Sequence, residues 1–277
     1  MNSHVKCDVV TILLRLAVRI AALLTFGTLL FLVGFILIRG VPNLTPELFA
    51  PVYHSTNVSM FPAIITTLMM TILALAVATP LGIFTAIYLV EYARRGSCFV
   101  RIIRLTAETL SGIPSIVYGL FGLLFFVTYL GWNYSLLSGA ATVAIMVLPL
   151  VMRTAEEALL SVPDSYREAS FGLGAGRLRT VVRIALPAAA PGILAGVILA
   201  VGRIVGETAA LIYTLGTVPK IPDSLMASGR TLALHMYALS SEGLYTDAAY
   251  ATAVVLLLIV ALINAASAAL ARRLGKG

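Results

Sequence analysis

The charged stretch Gly202-Arg203-Ile204-Val205-Gly206-Glu207-Thr208 lies inside a long apolar run. A charged side chain at mid-helix in a bilayer costs about 2.5–3.5 kcal/mol on insertion scales, so its presence calls for a reason. An arginine offers a planar fork of N–H donors that suits an oxyanion through paired, charge-assisted hydrogen bonds. Arg203 and Glu207 are four residues apart, which on one continuous helix puts them on one face and lets them pair. Two readings stand: a structural ion pair between helices, or a charged lining of a substrate path that Glu207 latches between transport steps. Gly202 and Gly206, like Gly192 and Gly196, have the spacing that lets membrane helices approach closely. Arg153, at the end of another apolar run, either snorkels to lipid headgroups or makes a second anion contact.

A second constellation lies in the polar stretch at about 153–187. Pro163 and Asp164 suit a helix start, and Ser165 with Glu168 three residues on fits a capping box. Gly174 or Gly176 suits the helix stop, because glycine accepts the left-handed conformation. A second amphipathic stretch, 177–183, then leads to Pro187. The expectation is a short helix, a glycine turn and a second helix. No Gly-Lys-Ser/Thr phosphate loop is present, since Lys6, Lys220 and Lys276 all lack that context. His4, His54 and His235, with Cys7 and Cys98, have no metal-ligand spacing, and no nucleophile–base arrangement stands out. No enzyme activity, metal or bound cofactor is expected of this chain.

The composition says what must hold these residues. Of 277 residues 60% are apolar and 11% charged, and the mean hydropathy is +1.01. A soluble domain is nearer a quarter charged. Disorder and a disulfide scaffold are excluded, and an all-α polytopic membrane protein remains. At about 20 residues per span, six segments qualify: 17–38, 64–89, 112–130, 135–152, 191–212 and 248–270. Trp132 and Tyr134 mark an interface at the start of the fourth. The first is too long for a signal-peptide core and has no small-x-small cleavage site after it, so it reads as a retained span. Pro80-Leu81-Gly82, Pro114 and Pro149 read as kinks, or as hinges beside a path.

The net charge of +7 sits in short loops with no basic stripe, which excludes nucleic acid as a partner. Fifteen of the 19 Lys and Arg fall at one set of span ends: Lys6, Arg15, Arg19, Arg94, Arg95, Arg101, Arg104, Arg153, Arg167, Arg177, Arg179, Arg183, Arg272, Arg273 and Lys276. Three, Arg39, Lys220 and Arg230, fall at the other. The positive-inside rule then puts both termini in the cytoplasm and requires an even number of spans. Both cysteines lie on the reducing side, so no structural disulfide is expected. Residues 1–60 read as an N-terminal segment with the first span and an exterior loop, and 61–277 as the main transmembrane domain.

Glu168-Ala169-Ser170, three residues, Gly174, nine residues, then Ile184-x-Leu186-Pro187 resembles the EAA loop of ABC importer permeases. Ser170 stands where that pattern has a second alanine. Together with Ser111-Gly112-Ile113-Pro114-Ser115-Ile116-Val117-Tyr118-Gly119, the Arg203 stretch and Thr231-Leu232-Ala233-Leu234-His235-Met236-Tyr237, the chain resembles PstA-type permeases of bacterial phosphate importers. The resemblance implies a type I ABC importer permease fold in the bacterial inner membrane, with a coupling helix that docks on an ATPase. It implies a PstC-like second permease, two copies of a PstB-like ATPase that uses ATP, and a PstS-like phosphate-binding protein in the periplasm. It carries a role in phosphate translocation to Arg203 and Glu207, less directly to Arg153. It carries ATPase coupling to Glu168, Ala169, Ser170, Gly174, Ile184, Leu186 and Pro187. The alternatives are a permease for sulfate, molybdate or another solute, an ion-coupled secondary transporter, and a phosphate-sensing role.

Overall fold

The computed structural model describes residues 3–94 and 96–274, and among them every regular element is helical. Lys276 and Arg95 of the charge count, and the side chains of Lys6, Cys7, Arg272 and Arg273, lie outside the described residues; Cys98 is free and exposed. The chain runs α1 (Ser3–Gly40), α2 (Phe61–Ile87), α3 (Cys98–Ser111), α4 (Ser115–Gly122), α5 (Leu136–Leu160) and α6 (Asp164–Gly172). It continues through α7 (Arg177–Thr180), α8 (Leu186–Val205), α9 (Ala209–Ile212), α10 (Leu232–Glu242) and α11 (Thr246–Leu274).

Among the described residues five helical stretches are long and apolar enough to cross a membrane: Val10–Asn43, Phe61–Tyr92, Leu136–Leu160, Arg177–Val205 and Thr246–Ala266. The third expected span, 112–130, falls in a bent pair, Cys98–Ser111 and Ser115–Tyr129, turned by 100°. Pro114 causes the turn, because proline bars its predecessor from helical geometry and lacks the N–H that would continue the helix. The arm after the bend has 15 residues, about 22 Å of helix, short of a full bilayer core. Before the bend, α3 is amphipathic: Val100 and Ala107 are buried beside Met152, while Arg101, Leu105 and Glu108 are exposed.

Two other boundaries differ from the expectation. α5 runs on to Leu160, carrying Arg153, Glu156 and Glu157 on the same rod as the fourth span. The fifth span occupies Arg177–Val205 rather than 191–212. Pro187 does not break it, because a wide turn at Val181–Ala185 precedes it and Leu186 N–H reaches back to Val181 C=O. Such a π-type turn takes up the register a proline disturbs. Pro80 and Pro149 likewise lie inside continuous helices; Pro114 alone of the three expected interruptions makes a break.

The bundle is built on α2, α5 and α8, which meet through small residues. A Cβ on Gly82 would stand 2.8 Å from Val151 Cγ1, and one on Gly192 2.7 Å from Ala158 Cβ. At Gly196 it would collide with the Thr154 side chain. Without apolar contrast between helix and lipid, this close backbone approach supplies the packing attraction. Around it Met70, Val143, Met146, Val147, Ile204 and Leu211 form the main core. Gly196→Val forces α5 and α8 apart, and overpacking of this kind costs about 1–3 kcal/mol. The expected result is a lower unfolding temperature in detergent, while Gly202→Val, which meets open space, leaves it unchanged.

Candidate functional site

α8 ends at Val205, so Arg203 occupies its last turn rather than mid-helix, and Glu207 lies beyond the helix. The expected pairing of the two is therefore absent: among the described residues no ion pair joins them. Glu207 is 8% exposed, and its Oε1 accepts the Ala210 N–H at 3.0 Å. A carboxylate there satisfies a free donor at the start of α9 and sits at its positive end. Gly202 and Gly206 meet no neighbouring helix, so their expected packing role is also absent, whereas that of Gly192 and Gly196 is realised.

What this leaves is a half-buried Arg203 that, among the described residues, makes no ion pair with a carboxylate. It lies within electrostatic reach of Tyr118, whose hydroxyl donates to Leu110 C=O at 2.9 Å across the Pro114 bend. The break after α8 is held from behind by α4. A Cβ on Gly119 would stand 2.8 Å from Ala210 Cα, so α9 sits directly on the α4 backbone. Open space at Gly202, a broken helix and an uncancelled guanidinium thus coincide.

Arg153 is not part of this constellation. Thr154 packs at Gly196, seven residues or about 10 Å of helix from Arg203. Arg153 is exposed and lines a pocket of about 290 Å³ with Arg104, Glu108, Glu156 and Glu157. Arg104 Nε donates to Glu156 Oε1 at 2.7 Å, which ties α3 to α5. Three carboxylates share that space with two guanidinia.

At the same end of the bundle, α6, a turn and α7 form the expected helix–turn–helix. The capping box does not form: the helix starts at Asp164 behind Pro163, with no side-chain cap. Gly174 has φ +80°, a conformation that only glycine adopts without strain. The Ser170 hydroxyl, buried, hydrogen-bonds the Thr180 hydroxyl at 2.8 Å and so clamps α6 to α7. That contact gives a purpose to the serine in place of alanine. Glu168, Ala169 and Pro187 are exposed, and Leu173 is 90% exposed. A hollow of about 340 Å³ lies among Ala169, Ser170, Leu173, Gly174, Arg183 and Ile184.

Arg167, which carried no expectation beyond its charge, fixes this loop to the bundle. Its Nε and Nη2 donate to Glu91 Oε1 at 3.0 and 2.8 Å. Nη1 and Nη2 donate to Val162 and Leu159 C=O at 2.7 and 2.9 Å, and Nη1 also reaches Asp164 Oδ1 at 3.3 Å. The side chains of Arg167 and Glu91 are only 12% and 6% exposed. The last carbonyls of α5 are the negative end of its dipole, a natural seat for a guanidinium. The one sequence signal was an acidic residue just past the end of α2, and nothing in it names a partner 76 positions away.

Away from the loop, His235 on α10 is fully buried beside Tyr53 and Arg230. Burial, and next the Arg230 charge, push its pKa down to about 3. It is neutral when folded, whereas the unfolded chain binds a proton below about pH 6.5. Stability is therefore complete above that pH and declines as pH falls from about 6.5 toward 3. Unfolding temperatures should fall between about pH 7.5 and about pH 5, which bracket an ordinary histidine pKa, in the native chain, and flatten in His235→Asn. Among the described residues no group of His, Cys, Asp or Glu is arranged to hold a metal ion.

A bundle with a broken, charged helix and a rigidly pinned helix–turn–helix at one end defines a membrane-embedded transport subunit. Residues 78–276 match the family described as binding-protein-dependent transport system inner membrane component. The chain belongs to that family, and its relatives include phosphate permeases named PstA. It is 37% identical over 235 residues to phosphate transport system permease protein PstA 1 of Mycobacterium tuberculosis, covering 83% of this chain and 73% of that one. It is also 37% identical over 189 residues to probable ABC transporter permease protein YqgI of Bacillus subtilis, covering 64% of each. The match thus spans slightly less than two thirds of the latter's length. A bacterial alginate ABC transporter, solved with an alginate-bound periplasmic protein, shares the fold with a TM-score of 0.71 at 17% identity, over 96% of both chains. The MetNI methionine ABC transporter does so at 0.58 and 20% identity, over 87% of this chain and 97% of that one.

Proposed function

We propose that the chain is the permease subunit of an ATP-driven importer of inorganic phosphate, forming the path together with a second, PstC-like permease. The α6 end faces the cytoplasm, as the distribution of Lys and Arg requires, and the α10 end faces the periplasm. One of two copies of a PstB-like ATPase grips the α6–α7 loop, the other engages the second permease, and a PstS-like binding protein delivers phosphate at the opposite end. This chain binds no cofactor of its own, and ATP is bound and split by the partner.

The observation that carries the coupling role is the way the loop is built. Leu173 stands almost wholly in the open at a left-handed glycine turn, while Arg167 and Ser170 fix the helices on either side. A rigid lever with an apolar tip is what an ATPase needs in order to move a bundle. Movement of that lever reopens the bundle alternately to either side. Phosphate then meets the Arg203 fork, whose charge no carboxylate among the described residues cancels. Tight recognition belongs to the binding protein, since a path must let its ligand leave. The alginate and methionine transporters share the architecture, so the substrate rests on the PstA relatives and on Arg203. Glu207, capping α9, holds the break open rather than latching Arg203.

The test is a crosslink. Leu173→Cys should trap the ATPase subunit in membranes that contain all partners. Leu173→Asp should reduce ATPase co-purification by about tenfold or more, as loss of a central apolar anchor does. A crosslink to lipid alone, or normal co-purification with the aspartate, would remove the coupling role.

A further inference from the structure

A cleft of about 410 Å³ lies between the end of α2, the turn that follows it, the start of α3 and the α6–α7 loop. Arg94, Arg104, Arg167 and Arg177 line it, with Glu91 and Asp164 as its carboxylates. Arg167 is engaged with Glu91 and Asp164, and Arg104 is engaged with Glu156. Arg94 and Arg177 have no carboxylate among the described residues; the Arg177 guanidinium instead lies 5.6 Å from the Tyr92 ring centroid. Two uncompensated guanidinia around one space repel each other until an anion enters. Their forked donors match phosphate oxygens in pairs. We propose that this cleft is a second oxyanion site, which takes a phosphate group either as free inorganic phosphate or as the headgroup of an anionic lipid.

The site is distinct from Arg203, which is 26 residues further along the Arg177–Val205 helix, about 39 Å of rise. It joins the same parts that Arg167 joins. An anion between Arg94 and Arg177 ties the turn after α2 to α7, as the Glu91 pair ties α2 to α6. Occupancy therefore stiffens the joint through which the loop moves, independently of what the bundle transports.

The experiment uses the full chain with its co-expressed partner subunits. Radiolabelled phosphate binding is measured in nanodiscs of zwitterionic phosphatidylcholine, and phosphatidylglycerol carried through purification is quantified separately. The variants are Arg94→Gln with Arg177→Gln, the corresponding pair of Lys substitutions, and Arg203→Gln as a comparator. If free phosphate is the occupant, the Gln pair loses about half of the bound phosphate, and Arg203→Gln removes a different, additive portion. If lipid is the occupant, phosphate binding is unchanged and retained phosphatidylglycerol falls severalfold in the Gln pair but not in Arg203→Gln. The Lys pair, which keeps charge without the fork, falls between. Arg94 is on an exposed turn, so Arg94→Gln alone gives the same reading with a smaller change should the pair not assemble. Equal phosphate binding and equal retained lipid in the native and Gln forms would overturn the proposal.

Discussion

Arg203→Gln is expected to reduce phosphate uptake by about ten- to a hundredfold while the subunits still co-purify. Hydrogen bonds to a charged group are worth about 1.5–3 kcal/mol, and glutamine retains the length and some polarity but neither the charge nor the fork. Because Arg203 makes no ion pair among the described residues, its removal strands no carboxylate there, and folding should be little affected. That separates this variant from a merely structural lesion. Arg203→Lys, which keeps the charge alone, should recover part of the rate. Full uptake in a correctly assembled Arg203→Gln form would take the arginine out of the path.

Arg167→Met should produce the largest loss of stability. The pair with Glu91 is nearly fully buried, and removing one partner from such a pair typically costs about 3–5 kcal/mol, because the remaining charge is left uncompensated. The substitution also frees the carbonyls of Leu159, in the last turn of α5, and of Val162, just beyond it. The expected outcome is a marked drop in unfolding temperature and an ATPase activity that no longer responds to the binding protein. Glu91→Gln combined with Arg167→Met should be milder than Arg167→Met alone, since the stranded carboxylate is gone. The double-mutant cycle reads that coupling. Additive effects would show that the two residues do not act together.

The membrane bundle was legible in the sequence because its signals are local: apolar length, Lys and Arg at one set of ends, and a glycine that needs positive φ. Of Gly174 and Gly176 it is Gly174 that takes the positive φ, and the close approach that small-residue spacing implies occurs at Gly192 and Gly196 but not at Gly202 and Gly206. The errors arose where tertiary context decides. The spacing of Arg203 and Glu207 implied a pair only if the helix continued, and it stops at Val205 so that Glu207 can cap α9. The fifth span begins earlier than the apolar run 191–212 suggests, because a wide turn at Val181–Ala185 carries the helix through Pro187 and Pro191. Pro114 looked like an ordinary kink and is a 100° corner. Arg167 with Glu91 was not foreseeable, since a buried pair between distant positions has no periodic signature. Ser170 looked like a harmless departure and is a clamp to Thr180.

The central claim is that this bundle is moved by a partner's nucleotide cycle and carries phosphate inward. The direct test is labelled-phosphate uptake by sealed vesicles that contain both permeases and the ATPase, supplied with the binding protein, with and without ATP on the ATPase side. The account predicts accumulation above the external concentration only when ATP and the binding protein are both present. Uptake driven by an ion gradient and indifferent to ATP would contradict it.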